Sequence, residues 1–70
     1  MEIQIRDGET FIRLGQALKK AGAVGSGVDA KFIIQDGQIS VNGETELRRG
    51  RKLYPGDSFS YDGESYQIRA

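Results

Sequence analysis

The sequence predicts an α+β fold, with two packed helices lying against a small, mostly antiparallel sheet of short strands. Three observations predict it. Apolar residues recur at helical spacing, first at Phe11, Leu14, Ala17, Leu18 and Ala21, then at Ala30, Ile33 and Ile34. After Gly37 the pattern changes to alternation, as in Ile39-Ser40-Val41 and Tyr66-Gln67-Ile68. Tight-turn pairs separate the segments at short intervals, with no linker, repeat or low-complexity tract between them.

Met1-Glu2-Ile3-Gln4-Ile5-Arg6 alternates apolar and polar, which reads as a half-buried N-terminal strand ended by Asp7-Gly8. Thr10 is the expected N-cap of the first helix, and Gly22 its left-handed closing residue. Gly15 inside that helix costs about 1 kcal/mol relative to Ala, which points to close approach by another backbone. Ser26 with Asp29 three residues on resembles a capping box, and the second helix runs from there to about Gln35, stopped by Gly37.

Asn42-Gly43 signals a two-residue hairpin turn. The strict register pairs Val41 with Glu44 and Ile39 with Glu46, a poor apolar match, so the return strand is expected to be short, edge-like or bulged. Tyr54-Pro55-Gly56-Asp57 fits a type II turn. A C-terminal hairpin then turns at Asp62-Gly63 and places Phe59 opposite Tyr66, with Ile68 nearby.

Seventy residues with 37 % hydrophobic content accommodate one small domain spanning 1–70. The chain has no Cys and no His, which excludes a zinc site of the usual kind, a thiol nucleophile and a His-based triad. No stretch approaches the ~20 apolar residues of a membrane span, and Met1–Arg6 is not a signal-peptide core. The expectation is a soluble, cytoplasmic, non-enzymatic module without cofactor, metal or small-molecule substrate.

Formal net charge is zero and the sequence pI is near 6.2, whereas nucleic-acid-binding domains commonly exceed a pI of about 9. The distribution is less neutral than the sum. Residues 13–52 carry net +4, and residues 1–12 and 53–70 carry −2 each. Arg48-Arg49-Gly50-Arg51-Lys52 places four cations in five residues, a candidate phosphate-facing patch.

Other chemistries find little support. The carboxylates are scattered and mostly sit beside turn glycines, unlike a general acid–base pair. No phosphate-binding loop of the G-x-x-x-x-G-K-[ST] type occurs, and Gly22, Gly25 and Gly27 follow a helix rather than a strand. Tyr54, bordering the basic run, is the better candidate for stacking on a base; Tyr61 and Tyr66 read as sheet residues.

Taken in order, Ile12-Arg13-Leu14-Gly15-Gln16-Ala17-Leu18-Lys19, Ser26-Gly27, Ala30-Lys31, Gly37-Gln38-Ile39-Ser40-Val41-Asn42-Gly43 and Pro55-Gly56-Asp57 resemble the S4 RNA-binding domain. The likeness covers about residues 12–59. The basic run through Tyr54, together with Leu14-Gly15-Gln16, resembles especially the small stand-alone bacterial S4-like proteins of the YaaA and YbcJ group. It implies the alpha-L motif, in which two helices and a hairpin form an L-shaped unit that grips structured RNA.

On matching positions the resemblance implies RNA contacts from Arg13, Ser26 and Lys31. To these the charge pattern adds Arg48, Arg49, Arg51 and Lys52, with Lys19 and Lys20 at the margin. Two positions depart from the family pattern: Gly15 stands in place of an acid and Gly27 in place of an Arg, which shifts weight toward the 48–52 run. The expected function is therefore non-catalytic binding of structured RNA, ribosomal or transfer RNA, alone or in a ribosome or other ribonucleoprotein. The alternatives are a protein–protein interaction module on the same architecture and a small β-grasp carrier, which the C-terminal Gln67-Ile68-Arg69-Ala70 disfavours because it lacks paired glycines.

Overall fold

A computed structural model describes all of residues 1–70. The chain runs β1 (Glu2–Gln4), β2 (Ile12–Arg13), α1 (Leu14–Lys20), α2 (Gly27–Gln35), β3 (Ile39–Val41), β4 (Glu44–Thr45), β5 (Lys52–Leu53), β6 (Ser58–Tyr61) and β7 (Glu64–Arg69). Five strands form one sheet in the order β1-β7-β6-β3-β4, and β2 with β5 forms a separate two-stranded ladder. All pairings are antiparallel except β1 with β7, which is parallel. No helix is long and apolar enough to cross a membrane.

Local turn chemistry sets most of the register. Asn42 and Gly43 take φ of 51° and 87°, and Asp62 and Gly63 take 53° and 82°, the left-handed pairs of type I′ turns. Val41 is thereby set opposite Glu44, and Phe59 opposite Tyr66, as their sequences predict. The Phe59 and Tyr66 rings stack at 4.8 Å between centroids, 12° from parallel. β4 is a two-residue edge strand, as expected from its unfavourable apolar pairing.

The first helix is shorter than its sequence pattern suggests. It begins at Leu14 with Arg13 as N-cap, not at Thr10. Ile12 and Arg13 instead remain extended because they pair with Leu53 and Lys52. Phe11 thus lies ahead of the helix, although it shares helical spacing with Leu14 and Leu18. Both helices close alike. Gly22 N and Ala23 N donate to Lys19 O and Leu18 O, and Gly37 N and Gln38 N to Ile34 O and Ile33 O, each a Schellman pair.

One apolar cluster joins the helices to the sheet. Leu14, Ala17, Leu18, Ala30 and Ile34 meet Ile3, Ile5, Ile39, Val41, Leu53, Phe59, Tyr66 and Ile68. Only 15 of 70 residues are buried. A core this thin leaves a large share of positioning to hydrogen bonds at loops and helix ends.

Candidate nucleic-acid interface

The segment 46–53 is held to the start of α1 by its own backbone. Leu14 N donates to Arg51 O at 2.9 Å, and Gly15 N to Arg49 O at 3.0 Å, so two of the otherwise unpaired N–H groups of the first turn are satisfied by loop carbonyls. A side chain at position 15 would obstruct this contact: a Cβ there would lie 2.7 Å from Arg49 Cγ. The atom that requires Gly15 thus belongs to the Arg49 side chain rather than to a backbone, the Arg49 carbonyl being 3.6 Å from the Cβ position. Arg13 Nη1 adds a bond to Gly50 O at 2.9 Å.

Glu46 anchors the other side of the loop. It is 6 % exposed and the only buried charged residue. Its Oε2 accepts from Leu47 N, Arg48 N and Arg48 Nε at 3.0–3.1 Å. Its Oε1 accepts from Arg48 Nη2 at 3.1 Å and Arg51 Nη1 at 2.8 Å. These bonds, from Arg48 first and then Arg51, hold the carboxyl at about 2, well below its usual 4.5 and against the opposing effect of burial. Glu46 in turn raises the pKa of Arg48. The run of four cations therefore encloses an internal counter-ion, and two of its arginines are partly committed to holding the loop's shape.

Two polar grooves flank this loop. The first, of about 290 Å³, is lined by Arg13, Gly15, Gln16, Lys19, Gly27, Arg49 and Gly50. The second is lined by Arg13, Arg48, Gly50, Arg51 and Lys52, so Arg13 stands between the two. No carboxylate lines either groove. Arg13, Lys19, Arg49 and Lys52 take part in no ion pair, the three pairs being Glu46 with Arg48, Glu46 with Arg51, and Glu2 with Arg69.

The N-terminus of α2 opens on the first groove through Gly27. Ser26 is its N-cap, its Oγ accepting from Asp29 N at 3.2 Å. Lys31 is exposed and lies one turn beyond Gly27 on the same helix face, though it lines neither groove. Lys20 points elsewhere. Its Nζ donates to Gln4 O at the sheet edge, and it borders a different depression with Arg6 and Glu9. The structure therefore gathers Arg13, Arg48, Arg49, Arg51 and Lys52 around one loop, sets Ser26 beside it, extends toward Lys31, and separates Lys20. Lys19, marginal in the sequence, lies within the first groove.

Residues 3–69 match the S4 domain family. The chain belongs to that family. It is 45 % identical over 59 residues to the probable ribosome maturation protein RlbA of Bacillus subtilis, covering 83 % of each chain. It is 37 % identical over 59 residues to YbcJ of Escherichia coli, covering 84 % of each. The solution structure of YbcJ, described as revealing an alpha-L motif involved in RNA binding, superposes with a TM-score of 0.72 at 32 % identity, over 99 % of this chain and 86 % of that one. The S4 architecture of two helices with a mostly antiparallel sheet is thus shared along nearly the whole length. Of the local features, Glu46 is the one that the charge pattern concealed, since it lies outside the 48–52 run, which reads as four cations with no acid among them.

Proposed function

We propose that this S4 domain binds structured RNA without catalysing a reaction on it. The grooves on both sides of the 48–52 loop would receive consecutive phosphates. The observation that carries this reading is the set of unpaired cations Arg13, Lys19, Arg49 and Lys52 around grooves without a carboxylate, next to the N-terminus of α2. Guanidinium groups match phosphate oxygens, and a helix N-terminus adds N–H donors and a positive dipole end. Arg48 and Arg51 keep the loop in shape through Glu46 while offering their remaining N–H groups outward, and Lys31 extends the surface along α2.

Zero net charge suits selective binding. Indiscriminate attraction to nucleic acid grows with overall positive charge, whereas a local basic patch between acidic ends favours RNA whose phosphates fit the grooves. The proposed class of partner is ribosomal or transfer RNA, met in the cytoplasm; the name of RlbA as a probable ribosome maturation protein favours a ribosomal particle, and the YbcJ structure favours RNA binding.

The test is the salt dependence of RNA affinity. Neutralising about four phosphates gives a slope of log affinity against log salt of roughly −3. Changing Arg49 and Lys19 together to Ala should reduce its steepness by about 1.5. An unchanged slope would place the RNA elsewhere on the surface, and a protein contact insensitive to salt would favour an interaction module instead.

A further inference from the structure

Beside the phosphate grooves lies an aromatic group that phosphate binding alone does not require. Arg13 and Lys52 face each other across the β2–β5 ladder. Like charges at directly opposed positions repel, and neither has an acidic partner. Both are gathered over one ring: Arg13 Cζ lies 5.5 Å and Lys52 Nζ 4.9 Å from the centroid of Phe11. The electron-rich ring relieves part of the repulsion and leaves a fixed double positive charge.

Tyr54 continues this surface. Its ring centroid is 6.0 Å from that of Phe11, tilted by 52°, and the residue is 47 % exposed. A half-exposed phenol packed against Phe11, whose ring carries two uncompensated cations, matches the two parts of a nucleotide. The ring can stack on a base while the cations hold its phosphate. Bases inside an A-form helix are covered by their neighbours and have no face to offer, so the occupant must be an unpaired base.

We propose that Tyr54 is a stacking platform for one unpaired nucleobase, whose phosphate rests on the Arg13–Lys52 pair. The RNA class is then a helix interrupted by a bulge or junction rather than a continuous duplex. This inference rests on the RNA-binding reading and adds a subsite to it.

The test compares two short RNA hairpins, one fully paired and one carrying a single 2-aminopurine bulge, bound to the full chain and to its Tyr54→Leu and Tyr54→Phe variants. The intact protein should prefer the bulged hairpin and quench its fluorescence. Tyr54→Leu should lower the ratio of the two affinities about tenfold and abolish the quenching, and Tyr54→Phe should retain both. Equal binding of the two hairpins by the intact protein overturns the platform while leaving RNA binding in place. So does a Tyr54→Leu variant that keeps the ratio and the quenching. Failure to bind either hairpin overturns the RNA-binding reading as well.

Discussion

Arg51 Nη1 donates to Glu46 Oε1 at 2.8 Å, and the two residues together fix the loop that closes the start of α1. The guanidinium of Arg51 is tied to a buried carboxylate, while its carbonyl accepts from Leu14 N at 2.9 Å. One residue thereby couples the electrostatics of the loop to the first turn of a helix. Glu46→Gln removes the charge, keeps one carbonyl acceptor and leaves the arginines with weaker bonds. It should destabilise the fold by about 1–3 kcal/mol, read by chemical denaturation. A change within a few tenths of a kcal/mol would mean that the pair is cosmetic.

The same carboxylate gives a pH signature. Its pKa falls from 4.5 in the unfolded chain to about 2 in the fold, so the ionised form favours folding. That contribution is complete above pH 4.5 and is lost as the pH falls toward 2. The difference in melting temperature between the wild type and Glu46→Gln should therefore be largest near neutrality and shrink through this window. A constant difference would place the origin of the effect in packing rather than charge.

Ser26 separates capping from binding. Ser26→Ala leaves Asp29 N without its acceptor and should cost about 1 kcal/mol of stability. Ser26→Asp caps equally well but brings a negative charge to the groove beside Gly27, so melting should be preserved while RNA affinity falls several-fold. Equal RNA affinity in wild type and Ser26→Asp would exclude phosphate from this helix end.

Gly15→Ala tests the contact between α1 and the loop. Alanine improves helix propensity by up to about 1 kcal/mol, which offsets part of the strain from a Cβ placed 2.7 Å from Arg49 Cγ. The expected outcome is a small net change in stability with a clear loss of RNA affinity, because Arg49 must leave its place in the groove. Retained affinity would show that Arg49 can relax without consequence.

Where structure depends on neighbouring residues, the sequence was readable. Asn42-Gly43 and Asp62-Gly63 dictate left-handed turns, and these alone settle which residues of each hairpin face one another. Ser26 and Gly37 bracket α2 by the same local logic. The start of α1 was not readable, because Ile12 and Arg13 are kept extended by Leu53 and Lys52, partners distant in the chain. Glu46 left one trace: the hairpin register set it against Ile39 on the apolar side, and Glu46 N does donate to Ile39 O at 3.0 Å. Only the folded loop reveals the two arginines that make burial of that carboxylate tolerable.

The parallel pairing of β1 with β7 has a consequence for folding. Ile3 lies opposite Ile68, β1 has no other neighbour in the sheet, and β7 also pairs with β6. β1 must therefore wait for a strand far along the sequence, and the loop-closure entropy of that long separation opposes their meeting. Until then Ile3 and Ile5 have no place in the core, and β6 presents an open edge to other chains. Molecules lacking residues 64–69 lose two ladders at once, so β7 is the strand that completes the five-stranded sheet and covers the edge of β6.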